Sequence, residues 1–435
     1  MQKNKLIKNT FLLVLGGLIT KVLAFIIKIL YTRYLKEDGL SLITLIFPTY
    51  SLLLTISLFA LPLAVTKIIA ENKERKSKIL FNAFWITTSL NIVIIILTIL
   101  FSSYFATNIL HDERCSFLLK ILIFTLPFVS TTSLIKAYFF GIENIIPVIL
   151  SNITEEIVKL IMVVSILPSM VNKSIIHGTS FYLFINFICE LLSFIILYLF
   201  LPKKINIKKL DYKHNNQILN RLFKISIPTL SGRLIGSLGY FFEPIILTNL
   251  LIYKGIDSSF IRLNYGYFQG YVIAILTIPS FFLLALSNNI VPVISKYKIS
   301  SNIKAIKKII KKITLMILLS GIFYIFILTL FGKNIMFILY KSTNGYKYLK
   351  VLLPFFILFY LESPLLSVLQ ALDQEKNVFK ITTFGILIKY ISLIILILNN
   401  TGFISLIYSE IINILFVITL CIYYLRKYFS YSSQL

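Results

Sequence analysis

Acidic residues are scarce in this chain of 435 residues: 17 Asp and Glu stand against 43 Lys and Arg, for a net charge of +26. Charged residues of both signs make up only 14%, where a soluble domain carries about 25%. That shortage excludes an ordinary cytosolic enzyme. Three scattered cysteines (Cys115, Cys189, Cys421) give no disulfide framework, and three isolated histidines (His111, His177, His214) give no metal-ligand spacing. The chain also lacks a GxxxxGK[ST] loop, an HExxH pair and a GxSxG elbow. An intrinsic ATPase, a zincin and a serine hydrolase are thereby excluded. The expectation is a non-enzyme with no catalytic residue, no metal and no cofactor. What fills the chain is apolar. Hydrophobic residues are 58% and mean hydropathy is +0.89, which excludes intrinsic disorder.

A bilayer span needs roughly 20 mostly apolar residues. Twelve such runs are predicted: 9–33, 40–65, 79–103, 117–141, 145–170, 176–201, 222–251, 263–292, 312–332, 348–371, 377–398 and 402–425. Runs such as "NIVIIILTILF" do not alternate, so they read as helices and not as barrel strands. The first run carries Lys21 and Lys28 and has no small-residue cleavage site, which argues against a cleaved signal peptide. The fold class is therefore all-α, a polytopic membrane protein.

Lysines and arginines crowd into alternate loops: the N-terminus, "KIIAENKERKSK", "PKKINIKKLDYKHNNQILNRLFK", "SKYKISSNIKAIKKIIKK" and the tail "RKY". Intervening loops such as "HDERC" carry few. The positive-inside rule then predicts a cell-membrane protein with both termini cytoplasmic. Topology accounts for the basic excess, so no nucleic-acid partner is expected. Within 296–312, Ile303, Ile306 and Ile310 share a helical face with Lys304, Lys307, Lys308 and Lys311 off it. That pattern predicts either a surface helix on the anionic inner leaflet or a plain topogenic charge cluster.

The loop 203–224 is the longest connector. It divides the chain into two six-span lobes, 1–212 and 213–435. Equal, even span numbers give both lobes one topology, as in transporters built from parallel repeats. Faint echoes support a repeat. Lys159 and Lys389 follow similar short turns, and Glu190 and Glu410 each sit in the last span of a lobe.

Charges at membrane depth are costly and mark function or pairing. Lys21 and Lys28 are seven residues apart, so they share a helix face about 10 Å apart along the axis. Arg233 lies inside the seventh span. These three are the candidate binding residues of a cationic cavity suited to an anionic headgroup such as pyrophosphate. The alternative is that each neutralises a buried glutamate. Glu155 and Lys159 have favourable i,i+4 spacing, and structural pairing is the first expectation there. Glu190, Glu243, Glu362 and Glu410 have no local partner. Each could couple transport to H⁺ or Na⁺, or meet a lysine on another helix.

Three stretches resemble a known family. They are the opening "KNTFLLVLGGLITKVLAFIIKILYTRYLKEDG", the phrase "IKAYFFGIENIIPVILSNITEEIVKL" and "ALSNNIVPVIS". In this order they are similar to the stage V sporulation protein B-like polysaccharide-biosynthesis proteins. Those belong to the multidrug/oligosaccharidyl-lipid/polysaccharide (MOP) exporter superfamily and are related to lipid II flippases. The resemblance implies two six-helix lobes of the MATE/MOP type working by alternating access. It implies an undecaprenyl-pyrophosphate-linked sugar as substrate, in wall, spore-cortex or polysaccharide biogenesis. Lys21 and Lys28 then stand where the family tends to have first-span cations. Lys136, Glu155 and Lys159 stand at charged positions of its signature. The chain departs from the family in using lysine for many arginines, in reading "AYFFG" for "GYFQG", and in having twelve spans where many members have fourteen.

The first expectation is thus a flippase carrying a lipid-linked oligosaccharide from the inner to the outer leaflet. Na⁺, H⁺ or the membrane potential are the candidate driving forces, and membrane lipids and wall- or cortex-synthesis enzymes the candidate partners. The second is a cation-coupled multidrug exporter of the same superfamily, for which Glu243 is the supporting feature. The third is a membrane scaffold for wall-building enzymes.

Overall fold

The computed structural model describes residues 2–71, 75–202, 216–300 and 302–431. Side chains of 1–11 and 281–289 lie outside the description, as does most of the long connector. The described chain is helical throughout. It runs α1 (Gln2–Leu58), α2 (Leu61–Ala70), α3 (Lys76–Tyr104), α4 (Arg114–Ile123), α5 (Leu126–Gly141), α6 (Ile146–Ser165), α7 (Leu167–Lys173) and α8 (Ile175–Phe200). It continues as α9 (Asn216–Tyr253), α10 (Ser258–Gly266), α11 (Ile273–Leu276), α12 (Ser280–Ile299), α13 (Ile303–Tyr340), α14 (Tyr346–Ala371), α15 (Glu375–Leu398) and α16 (Ile404–Tyr431). Two π-helical turns, Phe105–Ile109 and Tyr267–Val272, extend α3 and link α10 to α11.

Nine helical stretches among the described residues are long and apolar enough to cross a membrane. The longest, Leu12–Ala70, breaks where Lys36 takes φ 55° and ψ −161°, so it holds the first two spans read from the sequence. Ile146–Ser165 is helical but carries Glu155, Glu156 and Lys159. The eighth predicted span is interrupted by the π turn and by the non-helical step at Thr277. Two tyrosines donate into that interruption, while Ile275 also keeps a backbone donor in Ile278 N at 3.1 Å. Tyr360 Oη donates to the Leu276 carbonyl at 2.7 Å, and Tyr324 Oη to the Ile275 carbonyl at 2.8 Å. A broken helix in lipid is tolerated only when its freed carbonyls find such donors.

The chain divides into two compact units, Met1–Phe241 and Phe242–Leu435. In the first, Leu61, Val65, Ile68, Ile79, Leu134 and Phe139 form a buried core. Close helix approach there depends on Gly141. A Cβ at that position would meet Ile69 side-chain atoms at 2.7 and 2.8 Å. In the second unit, a Cβ on Gly385 of α15 would lie 2.7 Å from Val417 of α16. Small residues at such crossings are the usual device for packing helices in lipid. A buried polar thread also ties unit 1 together: Ser57 Oγ donates to Asn91 Oδ1 at 2.6 Å, and Asn91 Nδ2 donates to Ser130 Oγ at 2.7 Å.

One expectation is corrected. The segment around 303–312 is not a separate surface helix. α13 starts at Ile303 and runs unbroken into the ninth span. Ile306, which the amphipathic reading turned toward lipid, is 1% exposed because the protein itself covers it.

Candidate functional site

Lys21 and Lys28 stand in α1 before its break, in the first unit. Lys21 is exposed and lies in the field of Glu156 on α6. Lys28 is half-buried and makes no hydrogen bond or ion pair among the described residues. Arg233, on the stretch of α9 belonging to the first unit, is exposed and likewise makes none.

The signature charges gather nearby in the sequence of helices. Lys136 of α5 reaches Glu155 of α6 at 3.8 Å, with the two side chains 20% and 18% exposed. This differs from the i,i+4 expectation: Glu155 turns to a neighbouring helix, and Lys159 makes no ion pair within 4 Å among the described residues. Glu190 of α8 accepts from Thr132 Oγ1 of α5 at 2.8 Å and feels the fields of Glu155, Lys136 and Lys159. Unit 1 therefore holds a loose group of three carboxylates and two lysines around α5, α6 and α8.

The second unit brings its charges into direct contact. Lys389 Nζ of α15 donates to Glu243 Oε2 of α9 at 2.6 Å and pairs with Glu410 Oε2 of α16 at 2.5 Å. The side chains are 14%, 3% and 14% exposed in the order Lys389, Glu243, Glu410. The other oxygen of Glu243, Oε1, accepts from Tyr265 Oη at 3.0 Å and Gln269 Nε2 at 2.6 Å. Gln269 belongs to the π turn, a distortion frequently found at functional sites. Three donors thus engage both oxygens of Glu243, and two carboxylates hold one ammonium. Glu362 of α14 feels Glu410 and Lys389 but has no ion pair of its own among the described residues. It borders a cavity of about 400 Å³ lined also by Thr277, Ser280, Tyr360, Ser363 and Gln370.

The sequence named Glu243, Lys389 and Glu410 separately. It missed Tyr265 and Gln269 as partners of Glu243, and Thr132 as the partner of Glu190. A signal existed for one of them: the string "GYFQG", absent at 137–141, occurs at 266–270 and contains Gln269.

Comparison with known proteins follows the same lines. A family model described as polysaccharide biosynthesis protein matches residues 6–298. Stage V sporulation protein B of Bacillus subtilis is 29% identical over 401 residues, covering 89% of this chain and 77% of that protein. Sporulation protein YkvU of the same organism is 23% identical over 383 residues, covering 86% and 84%. Among solved structures, an inward-facing conformation of a multidrug resistance MATE family transporter of the MOP superfamily superposes with a TM-score of 0.78 at 12% identity, covering 95% and 96% of the two chains. A MOP superfamily transporter from Pyrococcus furiosus, described as having a binding pocket of reverse polarity that suggests a different function, gives 0.68 at 14% identity, covering 98% and 96%. At such identities the likeness shows the fold alone. The family is thus one of polysaccharide biosynthesis, and the fold is that of MOP superfamily transporters. The chain belongs to the polysaccharide biosynthesis protein family, as a stage V sporulation protein B-like member with the all-helical fold of the MOP superfamily.

Proposed function

We propose that this protein is a flippase that moves an undecaprenyl-pyrophosphate-linked sugar precursor from the inner to the outer leaflet. The observation that carries the proposal is the sorting of its membrane cations. Lys389 and Lys136 are matched by glutamates, whereas Lys28 and Arg233 have no acidic partner among the described residues. A half-buried ammonium without a counter-ion is a poor structural element and a good anion ligand, because the arriving anion supplies the missing compensation. Lysine meets a pyrophosphate as a point charge, which tolerates a headgroup that must later leave. Lys21 extends the same face of α1 toward that ligand. The polyprenyl tail stays in lipid while the headgroup crosses, and both termini face the cytoplasm.

A cation-binding drug exporter needs an open membrane carboxylate. Glu243 was its supporting feature, and Glu243 is occupied by Lys389, Tyr265 and Gln269. We assign any H⁺ or Na⁺ coupling instead to Glu362, which borders a cavity that Thr277, Ser280, Ser363 and Gln370 also line and lacks an ion pair among the described residues. Wall- or cortex-building enzymes are the partners this role implies.

The test is leaflet transfer in proteoliposomes. A labelled lipid-linked pyrophosphate oligosaccharide and a fluorescent lipophilic cation are offered separately. Transfer of the sugar lipid alone, lost in Lys28→Glu and Arg233→Glu, is the expected result. Transfer of the cation alone would replace the proposal with the exporter. Full sugar-lipid transfer by both variants would remove the cations from the mechanism.

A further inference from the structure

We infer that the outer face of α13 is a binding site for an anionic phospholipid, with a lysine stripe for the headgroup phosphate and an apolar stripe below it for the chains. The site lies wholly in the second unit and does not depend on what the protein transports.

The inference begins with length. α13 has 38 residues, so at 1.5 Å per residue it is about 57 Å long, against about 30 Å of hydrocarbon. Its first turns must emerge from the apolar layer. Those turns carry Lys304, Lys307, Lys308, Lys311 and Lys312, all exposed. At about 100° per residue, Lys304, Lys308 and Lys311 fall along one line of the helix, with Lys307 and Lys312 flanking it. The same line continues as Leu315, Leu319, Ile322 and Phe326, which are 55%, 61%, 53% and 59% exposed. Ile306 and Ile317, at 1% each, are on the opposite side and are covered by protein. Cationic stripe and lipid-facing stripe are therefore in register, headgroup level above chain level. A topogenic charge cluster has no need of that alignment. A soluble polyanion would need the lysines but not the apolar continuation.

Electrostatics adds a second argument. The lysines crowd the N-terminal end of the helix, where the macrodipole is already positive and where acids belong. No acid stands in the first turn, and none occurs in the sequence between Asp257 and Glu362. Asn302 caps the end by accepting from Ala305 N at 3.0 Å, so the backbone is served but the charge is not. Lys307 lies over the Phe429 ring of α16, 5.2 Å from its centroid, which brings Arg426 and Lys427 to the same end. Neither neighbour is acidic. Asp373 is already engaged by Lys298 of α12, and none of the five α13 lysines has an ion pair within 4 Å among the described residues, so the phosphate of a lipid packed on Leu315 and Leu319 is the anion at the right height to compensate them. Each lysine near such a surface contributes about 1 kcal/mol.

The experiment is lipid retention by the purified full chain, read by native mass spectrometry. Phosphatidylglycerol, phosphatidylcholine and soluble glycerol phosphate are the probes. The expected result is retention of phosphatidylglycerol over phosphatidylcholine, weakened about tenfold or more when all five lysines become Gln, and kept when all five become Arg. Should the fivefold Gln variant fail to fold, Lys308→Gln, Lys311→Gln and Lys312→Gln together give the same reading with two lysines left in place. Equal retention by the Gln variants and the parent overturns the inference. Equal competition by glycerol phosphate overturns it as well, because the chains would then add nothing. A working or failing flippase assay bears on neither outcome.

Discussion

Lys28 in the first unit and Lys389 in the second are both lysines at membrane depth, and the chain treats them in opposite ways. Lys389 is held by two carboxylates at 2.6 and 2.5 Å, and one of these is itself fixed by Tyr265 and Gln269. Lys28 is half-buried with no ion pair among the described residues. A buried ion costs several kcal/mol unless geometry and hydrogen bonds compensate it. Lys389 is therefore part of the packing of α9, α15 and α16. Lys28 carries an unmet electrostatic demand that a ligand can satisfy. In a membrane protein, cations cannot be sorted by position alone. The carboxylates around them decide which are structural and which are available.

The largest effect expected from this contrast is on Lys389. Lys389→Met strands Glu243 and Glu410 and should destabilise the protein by about 3–5 kcal/mol, read as a large drop in the thermal unfolding midpoint in detergent. Lys28→Met strands nothing and removes an uncompensated charge, so its midpoint should stay at or above the parent value while sugar-lipid transfer is lost. A matching drop for Lys28→Met would break the comparison. The comparison is sharpened by removing the whole triad. Glu243→Gln, Lys389→Met and Glu410→Gln together leave no unpaired charge and should recover most of the loss, to within about 2 kcal/mol of the parent. Failure to recover would mean that the ion set does more than neutralise itself. Lys136→Met should rank next. Its single contact to Glu155 is longer, at 3.8 Å, and both side chains are about one-fifth exposed, so a loss of about 1–2 kcal/mol is expected.

These rankings rest on pairings that the sequence did not display. The spans were legible because twenty apolar residues have few other fates in a bilayer. The interruption between the first two spans was legible as the polar string "LKEDG". Periodicity went wrong at Ile306, since a helical pattern shows that an apolar face exists and not whether lipid or protein covers it. Spacing went wrong at Glu155, where an i+4 lysine was available but Lys136 on another helix is the residue in contact. Glu243 and Lys389 were each singled out as membrane charges. They are 146 residues apart, and nothing local could pair them. The contact between α15 and α16 that brings Lys389 to Glu410 depends on Gly385 and its close approach to Val417, which is tertiary information.

The smallest expected effects lie at the break in α1, and they separate strain from charge within the first unit. Lys36 takes φ 55° with ψ −161°, a region that glycine enters at little cost and other residues do not. Just beyond it, Asp38 Oδ2 meets Arg114 Nη1 at 2.9 Å, and Arg114 Nη2 meets Asp112 Oδ2 at 2.7 Å. Arg114 is 29% exposed and Asp38 37%, so water screens the clasp. Asp38→Asn should therefore cost no more than about 1 kcal/mol. Lys36→Gly relieves the backbone but loosens the unfolded chain. The net should be a gain of about 1 kcal/mol, visible as a higher unfolding midpoint. If Asp38→Asn cost more than the loss of Lys136, the strained turn would be held in place by the clasp, and charge in unit 1 would be architectural after all.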